Sequence, residues 1–314
     1  MGKTVFTVTL NPALDLCCST EQVVSEHKLR CSDVRRDPGG GGINVARAMT
    51  RLGVDVTALW SCGGRPGREL GERLDAERVV HETIAIEGET RVNFTASEAR
   101  SGQQYRFDMP GPDLTQAEYQ RWLHRVATLT QDASYLVLSG SLPPNAPLDF
   151  YAQLIAAAPR RVRIVLDACE EALVYALRKG VFLLKPNLRE LSRLVGTEEL
   201  TGDREVEAAA SQLIDTGRAQ LVAVSLGRAG AMLVSAGVSL RVHAPTVRAR
   251  STIGAGDSML AGLLTGLLRE LPLHDALRLG VAAGSAATMA VGTQLFEREN
   301  VTRLYDQLRA GLAV

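Results

Sequence analysis

Ser251-Thr-Ile-Gly-Ala-Gly-Asp-Ser-Met-Leu-Ala-Gly262 combines an anion-binding turn with an acid. Gly254 and Gly256 permit a tight turn whose backbone N–H groups converge on one place. Met259, Leu260, Leu263, Leu264, Leu267 and Leu268 then recur at helical spacing, so the turn opens a helix. Unpaired N–H groups and the helix dipole favour negative charge at such a start. Asp257 does not fit a site that only binds an anion, because its carboxylate would repel one. Two readings account for it: a helix cap, or a general base beside a transferring phosphoryl group. The turn alone leaves both open.

Other stretches carry the same double reading. Gly39–Gly42 precede a helix containing Asn44; four glycines are entropically costly as a linker, and they let backbone approach a ligand closely. In Lys185-Pro-Asn-Leu-Arg-Glu190, Asn187 and Glu190 have the spacing of a capping box, and equally could orient Mg²⁺ through water. Ser139-Gly-Ser-Leu-Pro-Pro144 ends a strand and reads as a turn or a ligand contact. Ser225-Leu-Gly-Arg-Ala-Gly230 joins two strands, by turn chemistry alone or with backbone contact to a nucleotide. Gly280–Ala290 is a small-residue helix suited to close packing. Gly2-Lys3-Thr4 lacks the residues that would precede it in a P-loop, and no G-x-G-x-x-G occurs.

The elements that must position these residues follow a strand-then-helix rhythm. Strands are expected at Thr4–Leu10, Val54–Trp60, Tyr135–Leu138, Arg163–Leu166, Val181–Leu184, Leu221–Ser225 and Ala231–Ser235. Helices are expected at Ile43–Leu52, Leu148–Ala158, Glu171–Lys179 and Leu188–Val195. Short apolar strands alternating with helices indicate a parallel sheet covered on both faces, with ligands at the carboxyl ends of its strands. Arg91–Ser97 and Gln104–Met109 alternate with period two and predict a β-hairpin. Val92, Phe94 and Ala96 share one face and Arg91, Asn93 and Thr95 the other; Tyr105, Phe107 and Met109 oppose Gln104, Arg106 and Asp108. A second strand pair is expected within Leu14–Arg36, with Lys28 and Arg30 on one face. A small sheet with a basic face suits a lid over an anionic substrate, or is an edge with solvated charges.

Bulk properties exclude several classes. Of 314 residues, 46% are hydrophobic and 22% charged, and the formal net charge is zero, so no basic excess is available to neutralise nucleic acid. The longest apolar run, Met259–Leu268, is short of the roughly 20 residues of a membrane span, and Val5–Leu10 is too short for a signal peptide. The five cysteines, Cys17, Cys18, Cys31, Cys62 and Cys169, form no C-x-x-C and suggest a reduced, cytoplasmic protein. The five histidines show no zinc-site spacing.

Together, six motifs resemble the ribokinase-like (PfkB) carbohydrate kinases over nearly the whole chain. They are Thr9–Asp15, Pro38–Ala46, Ser139–Pro144, Lys185–Leu191, Val224–Gly227 and Ser251–Ser258. His27–Arg30, the unbroken Gly39–Gly42 and Gln104–Gly111 are most similar to the minor-type ATP-dependent 6-phosphofructokinases of that family. The 1-phosphofructokinases and tagatose-6-phosphate kinases usually carry a lysine where this chain has Gly41. The resemblance implies an α/β chain: a ribokinase-like three-layer α/β/α sandwich in one domain, 1–314, with a small β-sheet lid formed by segments about 13–37 and 90–110. It implies ATP and Mg²⁺ as cofactors, fructose 6-phosphate or a related phosphosugar as substrate, and a homodimer through the lid.

By resemblance, Asp257 is the catalytic base and Gly254, Ala255 and Gly256 form the anion hole. Asp15, Gly40, Gly41, Asn44 and Ser139 would contact the sugar, and Lys28, Arg30, Arg91 and Arg106 its phosphate. Lys185, Asn187, Ser225, Gly227, Gly230 and Gly284 would bind nucleotide, with Asn187 and Glu190 near Mg²⁺. A K⁺ site is implied at Ser251, Ile253, Ala287, Ala290, Gly292 and Gln294, although Ala290 and Gln294 replace an expected Asn and Arg. Asp167-Ala-Cys169 departs from the family's Asp-Ser/Thr-Ser. A catalytically silent sugar-phosphate sensor on the same fold is the non-enzymatic alternative.

Overall fold

Aliphatic and β-branched runs build one large sheet in the computed structural model, which describes residues 4–168 and 170–311. Gly2, Lys3 and Cys169 lie outside the described residues. The elements run β1 (Thr4–Thr9), β2 (Ala13–Thr20), β3 (Cys31–Gly39), α1 (Gly41–Arg51), β4 (Val56–Cys62), α2 (Gly64–Ala76), β5 (Val80–Ala85), β6 (Arg91–Glu98) and β7 (Gln104–Phe107). There follow α3 (Gln116–Leu129), β8 (Ala133–Ser139), α4 (Phe150–Ala157), β9 (Arg163–Asp167), α5 (Glu170–Leu177), β10 (Val181–Leu184), α6 (Leu188–Val195) and α7 (Asp203–Asp215). The chain ends with β11 (Ala219–Ser225), β12 (Ala231–Ser235), β13 (Val238–Val242), α8 (Ala255–Leu268), α9 (Leu273–Met289) and α10 (Arg298–Arg309).

Among the described residues, nine strands pair in the order β13-β12-β11-β10-β9-β8-β1-β4-β5. The strands from β11 to β5 are parallel, while β12 and β13 return antiparallel. Strand alternation separates two cores. Tyr135, Val137, Val165, Leu183 and Ala223 pack with α1, α8 and α9 on one face. Leu136, Leu138, Leu166, Leu184 and Val222 pack with residues of α3, α4, α6 and α7 on the other. The layers are therefore α/β/α. From β1 the chain runs to β4 and β5 on one side, then to β8 and β9 on the other. The strand order thus reverses between β1 and β8, and an α/β sheet opens a ligand crevice at such a point.

A separate sheet has the order β3-β2-β6-β7. Its centre is a parallel β2–β6 pair, so Arg91 is beside Ala13, Asn93 beside Asp15, and Thr95 between Cys17 and Arg106 on one face. Phe94 pairs with Leu16 and Phe107 on the opposite face. Three expectations change. Lys28 and Arg30 are not on a strand face; they lie exposed in the 21–30 connection between β2 and β3. Met109 is beyond β7, which ends at Phe107. The edge strands β5 and β13 fall outside the expected set, because their sequences, Val-His-Glu-Thr-Ile-Ala and Val-Ser-Leu-Arg-Val, mix polar and apolar residues. None of the described helices is long and apolar enough to cross a membrane.

Candidate active site

Gly254 begins the site. Its φ of 71° is left-handed, a conformation open to glycine, and it is the N-cap of α8. Asp257 is therefore not the cap. Its Oδ2 accepts a 2.9 Å hydrogen bond from Asn44 Nδ2 instead, reaching from α8 to α1. The first turn of α8 still presents N–H groups without intrahelical acceptors. Burial raises the Asp257 pKa to about 6, and repulsion from Asp167 and Asp15 adds to this against the Asn44 hydrogen bond and the Lys185 charge. A small part of the residue remains open to solvent.

The glycine run packs closely against Asp15 and Ser139. Thr9 Oγ1, at the end of β1, accepts the Ile43 N–H at 2.8 Å and fixes the start of α1. A Cβ on Gly39 would lie 2.3 Å from Asp15 Oδ2, and one on Gly41 would lie 2.3 Å from Ser139 Oγ. Both glycines are thus required by close approach. Ser139 is buried, and its Oγ has no hydrogen-bond partner among the described residues. Asp15 Oδ1 accepts from Asn93 Nδ2 at 3.1 Å. Burial lifts the Asp15 pKa to about 6, against the Asn93 hydrogen bond and the charges of Arg106, Arg91 and Arg47.

On the other side of Asp257, buried Lys185 Nζ is 3.0 Å from Asp167 Oδ1. A Cβ on Gly256 would be 3.5 Å from the same Nζ, so the ammonium borders the α8 turn. Burial pushes the Lys185 pKa down, but Asp167, Asp257 and Glu190 outweigh it and the net shift is upward. Asn187 and Glu190 form the complete capping box of α6, with bonds of 2.9 and 2.8 Å. Burial also raises the Glu190 pKa. Ser225 donates its N–H to Pro186 O at 3.0 Å and bridges Asn187, which joins two predicted nucleotide-side segments. Gly227 and Gly230 shape the turn after β11; a Cβ on Gly230 would be 2.1 Å from Val242 O. Gly284 lets α9 approach α8, since a Cβ there would lie 3.1 Å from Ala255 O.

The basic residues differ among themselves. Arg91 donates from Nη1 to Met109 O at 3.0 Å and from Nη2 to Asn11 O at 3.1 Å, tying the small sheet to the end of β1. Arg106 is exposed, 3.6 Å from Asp108. Lys28 and Arg30 make no part of this cluster's fixed geometry.

Of the residues for a monovalent cation, Ser251, Ile253, Ala287 and Ala290 cluster around the 250–253 segment and the end of α9. The Ser251 N–H donates to Thr288 O, and Ser251 Oγ accepts the Ile253 N–H at 3.2 Å. The Gln294 carbonyl already accepts from Arg51, so a guanidinium occupies that oxygen.

Sequence reasoning gives no site role to Asp167, Asn93 or Arg47. Asp167 had two signals, its place at a strand's carboxyl end and its position in the Asp167-Ala-Cys169 segment. Asn93 falls on the polar face of the hairpin. Arg47 sits three residues after Asn44, on the same helix face.

Two carboxylates lifted toward neutrality, a buried ammonium and a glycine-opened helix at a sheet switch point are the parts of a phosphoryl-transfer site. Residues 8–300 match the pfkB family of carbohydrate kinases. The chain belongs to that family. Among pfkB members, the ATP-dependent 6-phosphofructokinase isozyme 2 of Escherichia coli is 41% identical over 306 residues, 97% of this chain and 98% of that protein. The isozyme 2 of Mycobacterium tuberculosis is 42% identical, covering 96% and 89%. The 1-phosphofructokinase of Bacillus subtilis is 33% identical, covering 96% and 100%. The crystal structure of E. coli phosphofructokinase-2 with fructose-6-phosphate superposes with a TM-score of 0.92 at 40% identity, covering 98% and 100%. The same enzyme's complex with potassium gives 0.93 at 41%, again covering 98% and 100%.

Proposed function

We propose that this pfkB kinase transfers the γ-phosphoryl group of ATP to the 1-hydroxyl of fructose 6-phosphate. The observation that carries the reading is the Asp257 carboxylate, held by Asn44 at the mouth of the α8 turn. Asp257 takes the hydroxyl proton as the sugar oxygen attacks phosphorus and the bond to ADP breaks. A base with a pKa near 6 is ionised at neutral pH and still basic enough to share that proton. The N–H groups of Gly254, Ala255 and Gly256, with Lys185, face the charge that develops on the phosphoryl oxygens. Asp15, Asn44, Ser139 and the Gly40–Gly41 backbone hold the sugar hydroxyls. Arg91 and Arg106, joined by Lys28 and Arg30 from their loop, meet its phosphate, a bidentate task suited to Arg.

The acids Asp167 and Glu190 near Lys185 fit Mg²⁺ held through water, with Asn187 beside them. When bound, Mg²⁺ neutralises charge between the phosphates of ATP. Lys185, Asn187, Ser225, Gly227, Gly230 and Gly284 line the nucleotide side. The carbonyls near Ser251 and Ala287 suit K⁺, and the potassium complex of the E. coli enzyme supports this. The apolar face of the small sheet supports a homodimer.

ADP release tests the reading. With fructose 6-phosphate, fructose 1-phosphate, tagatose 6-phosphate and ribose in K⁺ and in Na⁺, turnover is expected to be highest with fructose 6-phosphate. Preference for fructose 1-phosphate would favour the 1-phosphofructokinase reading, which the B. subtilis relative supports. Absence of ADP release with every sugar would leave a silent sensor. Asp257→Asn is expected to lower kcat by about 10²–10⁴-fold with little change in KM; near wild-type turnover in a folded variant would overturn the mechanism.

A further inference from the structure

Arg47 is 1% exposed, yet its guanidinium meets three different parts of the molecule. Nε and Nη2 donate to Glu77 Oε2 and Oε1 at 2.9 and 2.6 Å, a fork on the residue that ends α2. Nη1 donates to Pro38 O at 2.8 Å, before the glycine run, and to Thr293 O at 3.1 Å. The same Nη1 donates to Asn44 Oδ1 at 3.3 Å, and Asn44 Nδ2 donates to Asp257. The side-chain amide of Asn44 thus lies between a cation and an anion. Only one of its two orientations serves both, with oxygen toward the guanidinium and nitrogen toward the carboxylate. Reversed, it would present NH₂ to Arg47 and oxygen to Asp257, and both contacts would be repulsive. A hydrophobic side chain would fill the space of Arg47 without the desolvation cost of a buried charge, so packing alone does not account for it.

We propose that Arg47 is a positioning residue for phosphoryl transfer: its guanidinium locks the Asn44 amide in the orientation that donates to the catalytic carboxylate. This rests on the reading of Asp257 as the base. The charged groups facing Asp257 are Asp167 from β9, Lys185 after β10 and Asp15 from β2. Those facing Arg47 are Glu77, with Arg51 on the same carboxylate, and Asp15 from β2, whose carboxyl feels the Arg47 charge. Without the lock, Asp257 loses a donor that favours its ionised form, so its pKa rises.

Arg47→Lys keeps a cation but not the fork. Measured on protein with a native circular-dichroism spectrum, it is expected to lower kcat by about 10–100-fold, a size consistent with misplacement of reacting groups. KM for the phosphosugar should change much less, and the acid limb of the kcat–pH profile should move to higher pH. In an Asn44→Ala background the same substitution should have little further effect on kcat, because the two act as one unit. A full, multiplicative loss in that background, or an unmoved acid limb, overturns the proposal. If Arg47→Lys does not fold, Glu77→Gln loosens the clamp while leaving Arg47 in place. It should show the same limb shift with a smaller loss of kcat; a lower Tm with an unmoved limb overturns the proposal. Failure of the base reading is distinguishable, since Asp257→Asn would then retain kcat whatever Arg47 does.

Discussion

Burial is the leading reason that the Asp257 and Asp15 pKa values are both raised to about 6, and the proposed mechanism uses both in the ionised form. A raised carboxylate pKa means that activity is present above about 6 and lost as pH falls through it. In the proposed mechanism the two acids enter at different stages, Asp15 in holding the sugar and Asp257 in the transfer. The kcat–pH profile is therefore expected to fall with unit slope below pH 6 and kcat/KM with a steeper slope, which pH-dependent initial rates measure. Asp15→Asn should restore unit slope to kcat/KM; an unchanged slope would remove Asp15 from the titration. The Asn187–Glu190 box and the Gly254–Gly256 turn were legible because each is built from residues a few positions apart. Asp167, Asn93 and Arg47 were not, since each acquires its role from a neighbour distant in sequence: Lys185, Asp15 and Glu77 respectively.

At the scale of elements, α6 offers a separation of two roles assigned to one side chain. Glu190 closes the capping box and also borders Lys185 and Asp167. Glu190→Gln preserves the acceptor that the box needs but removes the charge. Thermal melts should show an unchanged Tm, while the Mg²⁺ concentration for half-maximal rate rises several-fold. Asn187→Ala removes the cap itself and is expected to cost about 1 kcal/mol, read by denaturant unfolding. The central strands were legible from their apolar runs, whereas edge strands β5 and β13 lacked that signal. Lys28 and Arg30 misled because alternation persists across a loop as readily as along a strand. Period two marks a face only where pairing enforces it.

At the scale of the molecule, the small sheet leaves two large apolar side chains exposed on its outer strands. Phe107 is 51% exposed and stacks on Phe94 at 5.9 Å, and Val34 is 59% exposed. If the proposed dimer forms through this sheet, Phe107→Asp on its edge strand should convert it to monomers in analytical ultracentrifugation, since a charge in such a contact is costly to bury. A sedimentation coefficient unmoved by the substitution would place the dimer contact elsewhere. The glycine run, finally, is not one requirement repeated four times. Its four members look interchangeable, but each is hemmed in by a different neighbour: Gly39 by Asp15, Gly40 by a φ of 114°, Gly41 by Ser139 and Gly42 by Val8 O at 2.5 Å from a would-be Cβ. A side chain is therefore disfavoured at each position for a separate reason. In a deep mutational scan, alanine at Gly39 or Gly41 should accumulate as abundant but inactive protein, whereas alanine at Gly42 should vanish from the soluble fraction.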